Sequence, residues 1–367
     1  MQALVRPSFT RTQVADLDTF ESHVSHLISK IPRDRSTVDL QKLFFQLTLD
    51  SATEFLFGES VNSLGSTEGS DQHRFGTAFD YAQSKVTRRD RFEAMGSLFF
   101  ETEFDRSCKF VHAFVDRIIY RALEETKSYD PEKGDQFEES GRYVFLTEIA
   151  KRNRDPKQLR DELLNILLAG RDTTASLLSH TFHVLARRPD IFKKLKAEVD
   201  ELGGKNPDYE TLKAMKYLKY LLTESLRIYP VVPGNARFAN KQTTLPRGGG
   251  PDGQSPVYIP KGGIVNYSVA SMHVRKDIYG PDAEEFRPER WAPEEGLRPG
   301  WGYLPFNGGP RICVGQQFAL TEASYTIVRL LQEFEGIEDR DGTPWTEKLT
   351  LTMAVGKGVQ VAMIPKA

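Results

Sequence analysis

The ten residues Phe306-Asn307-Gly308-Gly309-Pro310-Arg311-Ile312-Cys313-Val314-Gly315 constrain this chain more than any other stretch. Gly308, Gly309 and Pro310 do not suit a helix, whereas apolar positions recur at helical spacing from Gly315 to Leu331. The spacing therefore predicts Cys313 at a helix N-terminus. There, unpaired amides and the positive end of the helix dipole favour thiolate over thiol, against a free-cysteine pKa of about 8.5. Amides aimed at the sulfur would also tune a metal bound to it. Gly309 and its neighbour let the backbone approach a flat partner, Phe306 can pack beside the sulfur, and Arg311 offers a forked donor to a carboxylate.

A lone cysteine is most often a small buried hydrophobe. Here five residues stand at fixed spacing, Phe-x-x-Gly-x-Arg-x-Cys-x-Gly, and the pattern closely resembles the haem-ligand loop of the cytochrome P450 family. The resemblance implies that Cys313 is the axial thiolate of a haem b iron. It also implies that Arg311 pairs with a haem propionate and that Phe306 lies against the ligand sulfur. A thiolate ligand pushes electron density onto the iron and favours O–O cleavage.

Asp155-Pro156 reads as a helix start, with Asp as N-cap and Pro at the first position, and the pattern continues to Arg188 before Pro189. Within it, Leu168 to Thr174 is a polar insertion containing Gly170. The Thr173 hydroxyl can bond the carbonyl four residues back, that of Ala169, and such a bond beside a glycine bends a helix and opens a groove. Alone, an Asp-Thr-Thr run in a helix reads as a solvated face. The segment resembles the oxygen-binding motif of the same family, which implies a groove for O₂ at Ala169 and proton delivery by Asp172 and Thr173.

A helix from Tyr217 to Ile228 carries Glu224 and Arg227 three apart, by itself an exposed pair worth a few tenths of a kcal/mol. Downstream, Phe286 to Trp291 supplies the family's second structural motif. By resemblance Glu224, Arg227 and Arg290 lock together as support for the segment leading to the cysteine. Between them, Val231 to Gly234 would touch substrate and Arg237 would reach a haem propionate.

The rest reads as helix after helix: Val14 to Ile31, Val38 to Leu56, Arg74 to Val86, Phe104 to Leu123, Tyr143 to Ala150 and Pro189 to Gly203. Phe44, Phe45, Phe55, Phe99, Phe100 and Phe110 are expected in the core, as is Cys108. The stretch from Thr243 to Gly253 is read as turn material before a hairpin of Val257–Ile259 with Ile264–Tyr267. A closing hairpin is read from Leu349–Met353 and Val359–Met363 around Gly356-Lys357-Gly358. None of the seven histidines shows metal-ligand spacing.

With 367 residues, 39% of them hydrophobic and 27% charged, the chain can build a substantial core. A net charge of −2 without a long basic run gives no reason to expect nucleic acid as a partner. Two cysteines exclude a disulfide framework and point to a reducing compartment. No apolar stretch is long enough to span a bilayer. Met1 to Phe9 reads as the tail of a helix ended at Arg6-Pro7. In the family that helix carries a tryptophan and an arginine, and further segments precede it, so the expectation is an N-terminally truncated form.

The motifs follow the family's order along the chain. The expected fold is accordingly mainly α with a small β portion, the cytochrome P450 fold, in a single domain over residues 1–367. The resemblance implies a haem-thiolate monooxygenase that takes O₂ and a hydrophobic small-molecule substrate, with electrons from an NADPH-dependent flavoprotein reductase. A full-length form would lie on the cytosolic side of the endoplasmic reticulum membrane. Ala169 to Ala175, the Gly248 to Gly253 insert, and Gly315 to Glu322 resemble fungal members that hydroxylate n-alkanes and fatty acids at or near the chain end. Two other classes stay open: a haem-thiolate enzyme that rearranges peroxides, against which Thr173 argues, and a haem-binding remnant without monooxygenase activity.

Overall fold

A computed structural model describes residues 9, 16–91, 101–129 and 143–366. In chain order the first elements are α1 (Leu17–Ser29), β1 (Val38–Asp39), α2 (Leu40–Phe57), α3 (Asp71–Arg91), α4 (Thr102–Glu125) and α5 (Phe145–Arg152). The long α6 (Pro156–Arg187) follows, then α7 (Pro189–Asp200), α8 (Tyr209–Ala214) and α9 (Lys216–Ile228). Four strands come next: β2 (Gly234–Phe238), β3 (Thr243–Gly249), β4 (Ser255–Ile259) and β5 (Ile264–Ser268). The short helices α10 (Val269–His273) and α11 (Lys276–Tyr279) lead to the cysteine loop and α12 (Gln316–Glu333). The chain closes with β6 (Phe334–Asp339), β7 (Glu347–Leu349), β8 (Met353–Val355) and β9 (Gln360–Pro365). This is the mainly α architecture with small sheets that the sequence predicts.

The central element is α6. Asp155 caps it by accepting from the amides of Lys157 (2.9 Å) and Gln158 (3.3 Å), and Pro156 stands where no amide partner is needed. At 32 residues it is about 48 Å long, enough to cross the molecule. Its N-terminal half buries Leu159, Leu163 and Leu167 against α2, α3, α4 and α5. Its C-terminal half packs Leu178, Phe182 and Leu185 into a second cluster built by α1, α7, α9, α12 and the last strands. Because α2 and α6 contribute to both clusters, the segment of α6 between them is held from either end.

The strands depart from the expected pairings. Thr243–Gly249 is itself a strand, β3, and Val257–Ile259 of β4 pairs with Thr243–Leu245. The turn is shorter than composition suggests, because Gly250 and Gly253 adopt φ of +76° and +69° and close it within four residues. Ile264–Tyr267 of β5 pairs instead with β2, Ile264 opposite Phe238 and Tyr267 opposite Asn235. The closing hairpin is β7 with β8, not Leu349–Met353 with Val359–Met363. β9 pairs with β6 and with β1, drawn there by Asp39, whose carboxylate accepts from the Val359 amide at 2.9 Å. β6 went unread because no glycine or proline separates it from the apolar pattern of α12.

Phe44 is buried, and Phe45, Phe55 and Phe110 pack partly buried against the clusters. Phe99, Phe100 and the Arg6-Pro7 stretch lie outside the described residues. Among the described residues no helix is long and apolar enough to cross a membrane.

Candidate functional site

The cysteine loop is shaped by its backbone. Asn307 and Gly309 adopt φ of +63° and +69°, between which Gly308 is extended. A β-carbon on Gly308 would lie 2.5 Å from the Trp301 ring, so no larger residue fits there without displacing it. Gly309 instead faces open space, with nothing within 4 Å of where a β-carbon would stand. The Cys313 amide donates to the Phe306 carbonyl at 2.9 Å and closes the loop. Tyr267 of β5 donates to the Asn307 side chain at 2.5 Å, and His273 accepts from the Leu304 amide at 2.9 Å, so both flanks are anchored. His273 is fully buried, and burial lowers its pKa to about 4. A neutral ring suits a nitrogen that must accept from an amide.

Cys313 lies three residues before α12 begins, and its side chain is exposed. Two opposed effects act on the thiol. Desolvation by the surrounding protein raises its pKa and outweighs the Gly315 amide, which lowers it. For the free side chain the helix terminus thus fails to produce the thiolate expected from sequence, because α12 starts beyond it and a single amide reaches the sulfur. Coordination to a metal would supply the missing stabilisation, since a coordinating thiol is deprotonated outright.

Arg311 is exposed and has no carboxylate partner among the described residues. Arg237 on β2 is also without an ion pair there. It folds back onto the Asn235 side chain (3.0 Å) and the Ala236 carbonyl (2.8 Å) and lies over the Tyr267 ring. Tyr267 thereby joins the Arg237 strand to the cysteine loop. Phe306 is partly buried against the core cluster.

On α6 the Thr173 hydroxyl donates to the Ala169 carbonyl at 2.7 Å, the bond expected from the sequence. Ala169 is exposed, on the same stripe of α6 as the exposed Asp161 and Asn165, and a β-carbon on Gly170 would meet nothing within 4 Å. These residues line an open face. Asp172 does not share it. Its carboxylate, 2% exposed, is engaged by the Gln83 amide of α3 and by Arg171 at 3.1 Å, and Arg171 also pairs with Asp80 at 2.5 Å. Burial raises the Asp172 pKa in spite of Arg171. The partners of Asp172 escaped the sequence reading because Asp80 and Gln83 are about ninety residues away along the chain.

The support residues lock as the resemblance implies, with more partners. Arg227 grips Glu224 through Nε at 2.8 Å and Nη2 at 2.7 Å, and its remaining N–H groups reach the carbonyls of His273, Ala283 and Glu285. All five guanidinium donors are used, which a fully buried arginine requires. Arg290 touches Glu224 only at 3.5 Å and is held mainly by Asp282, at 2.9 Å. Trp291 donates its indole N–H to Glu224 at 2.9 Å. Asp282 and Trp291 were invisible as partners in the sequence.

The donor set suits a flat dianionic iron chelate: a reachable sulfur, two guanidiniums without carboxylates, a glycine facing space, and a helix face lined by Ala169 and Gly170. Among the described residues no cluster of three or more histidine, cysteine or carboxylate side chains could hold a bare metal ion. One cavity of about 400 Å³, between Glu59, Asp71, Arg117 and Arg121, lies in the α3–α4 region and includes none of these residues. A second, of about 360 Å³, is lined by Phe306, Gln316 and Gln317 together with Lys213 and Lys219.

Residues 4–360 match the sequence model of the family described as Cytochrome P450. A "Cytochrome P450 monooxygenase g430" of Fusarium sp is 51% identical, over 98% of this chain and 66% of its own length. "Cytochrome P450 52A13" of Debaryomyces hansenii is 48% identical over 99% of this chain and 72% of its own. "Cytochrome P450 52A1" of Candida tropicalis is 47% identical over 99% and 69%. The chain spans about two thirds of the length of these relatives. Among solved structures, a cytochrome P450DA heme domain superposes with a TM-score of 0.80 at 22% identity, covering 99% of this chain and 76% of that one, which shows the shared fold.

Proposed function

The chain belongs to the cytochrome P450 family, and from that premise we propose that it binds haem b through Cys313 and serves as a haem-thiolate monooxygenase. The observation that carries this is the exposed Cys313 sulfur, in a loop tied to Arg237 by Tyr267 and bearing Arg311. Cys313 would hold the iron through its sulfur, Arg311 and Arg237 would pair with the propionates, and Phe306 and Gly309 would pack beside the sulfur and the ring. The haem supplies O₂ reduction and oxygen-atom transfer, with the thiolate favouring O–O cleavage.

The residues of the chain do the positioning and proton handling. Ala169 and Gly170 leave room on α6 for a diatomic ligand. Thr173, its proton committed to the Ala169 carbonyl in the resting arrangement, can reorient to donate toward the open face. Asp172 resupplies that proton once its carboxyl leaves Gln83 and Arg171, so the α3 contact sets when it is available. Substrate oxidation consumes O₂, two electrons and two protons, releasing water. Val231, expected to touch substrate, is buried in the core, and its carbonyl accepts from the Met353 amide at 2.9 Å and joins the β7–β8 hairpin to the segment after α9.

The substrate class is long-chain n-alkanes or fatty acids, hydroxylated at or near the chain end. Support comes from the likeness of the Gly248–Gly253 insert and the Gly315–Glu322 segment to fungal members of that kind, together with relatives drawn from yeasts and filamentous fungi. Electrons come from an NADPH-dependent flavoprotein reductase docking on the cysteine side, where Lys213 and Lys219 border the cavity behind Phe306.

The test is turnover of an n-alkane and a fatty acid by the haem-loaded chain with reductase and NADPH. The expected product is the terminal alcohol, formed only when all components are present. Conversion of a fatty-acid hydroperoxide without reductant would assign the rearranging class instead, and no conversion of either would leave a haem-binding remnant.

A further inference from the structure

Glu322 has no chemical role in the proposal above, yet it is a buried acid of unusual surroundings. It lies on α12, nine residues beyond Cys313, and is 1% exposed. Its carboxyl meets the Ser51 hydroxyl of α2 and the Thr174 hydroxyl of α6, the residue next to Thr173. No cation faces it among the described residues. On the neighbouring elements the titratable groups are engaged elsewhere: His23 of α1 with Glu54 of α2, and Glu21 of α1 with Arg329 of α12. Asp50 of α2 is held by the Ser63 and Leu64 amides, and Arg171 pairs with Asp172 and Asp80.

A carboxylate offered two neutral hydroxyls in an apolar interior is poorly compensated, and the neutral acid is the cheaper form. Burial accordingly pushes the Glu322 pKa up to about 8. A protonated acid also makes better use of its neighbours. It can donate to Ser51 Oγ, whose own proton then turns to the Thr48 carbonyl at 3.5 Å, while still accepting from Thr174.

We infer that Glu322 is a positioning residue: its buried carboxyl, bonded to Ser51 and Thr174, clamps α12 to α2 and α6 and keeps the Ala169–Thr173 face in register with Cys313. The inference rests on the haem-thiolate reading for its consequence, not for its geometry. Cys313 is set by the start of α12 and Thr173 by the middle of α6. Glu322 joins those two helices through Thr174, the residue next to Thr173, two turns into the helix that Cys313 precedes.

The experiment compares the haem-loaded wild type with E322Q and E322A from pH 5 to 9. The first readout is unfolding. An unfolded glutamate releases its proton near 4.5, whereas folded Glu322 keeps its proton to about 8. Within that window the unfolded chain binds fewer protons, so wild-type stability falls as pH rises and levels off above about 8. E322Q lacks this contribution, and the stability gap between the two widens toward pH 8. Infrared difference spectra should show a protonated carboxyl lost with a midpoint near 8 in the wild type and absent in E322Q.

The second readout is coupling, the share of NADPH electrons recovered as product. Wild type and E322Q should couple alike at pH 7, with only the wild type declining above pH 8, while E322A couples at less than half the wild-type level throughout. Should E322A fail to fold, E322Q still decides. Identical pH profiles for E322Q and wild type, or normal coupling in E322A, would overturn the inference. Absence of a thiolate-type spectrum in the wild type would sink the haem reading instead, and the stability gap would still test the clamp.

Discussion

At the scale of single residues, what could be read from the sequence was what lies within one helical turn. The bond from Thr173 to Ala169 spans four positions and was foreseeable from the backbone alone. The engagement of Asp172 with Gln83 and of Glu322 with Ser51 was not, since each partner comes from a distant part of the chain. Glu224 and Arg227 show the difference most plainly. Their spacing describes an exposed pair of little value, but both are fully buried and surrounded by carbonyls and an indole. Removing one member of a buried, hydrogen-bonded ion pair costs about 3–5 kcal/mol, because the other charge is left behind. Arg227→Ala should therefore lower the urea midpoint by a corresponding amount with the slope unchanged. A shift equivalent to less than about 1 kcal/mol, the worth of a surface pair, would show that the network does not support the loop.

At the scale of elements, helices announced themselves and strand partners did not. The caps at Asp155 and the stop at Pro189 delimit α6, because these signals act on adjacent amides. Strand pairing depends on register across a sheet, which a local pattern cannot specify, and both expected hairpins joined the wrong strands. The polar insertion in α6 has a cost that can be measured. Gly170 is helical, with no atom to clash with a β-carbon, so Gly170→Ala should raise stability by about 0.5–1 kcal/mol. It should at the same time lower turnover, because the added methyl enters the open face that Gly170 shares with Ala169. Stabilisation without loss of turnover would mean that this face does not serve the reaction.

At the scale of the molecule, the site is a junction. Two core clusters meet along α2 and α6, and the cysteine loop hangs between the β2–β5 sheet, anchored through Tyr267, and the Glu224–Arg227 network, anchored through His273. No one element contains the site. The loop motif can be read from ten consecutive residues, whereas the clamps around it are assembled from the whole chain. The central claim is that Cys313 ligates haem iron as a thiolate. Its most direct test is the absorption spectrum of the purified chain with haem, reduced and exposed to carbon monoxide, beside Cys313→Ala. The wild type should show the strongly red-shifted band of thiolate-ligated haem, and the variant should lack it. The same band in both proteins, or in neither, would contradict the assignment.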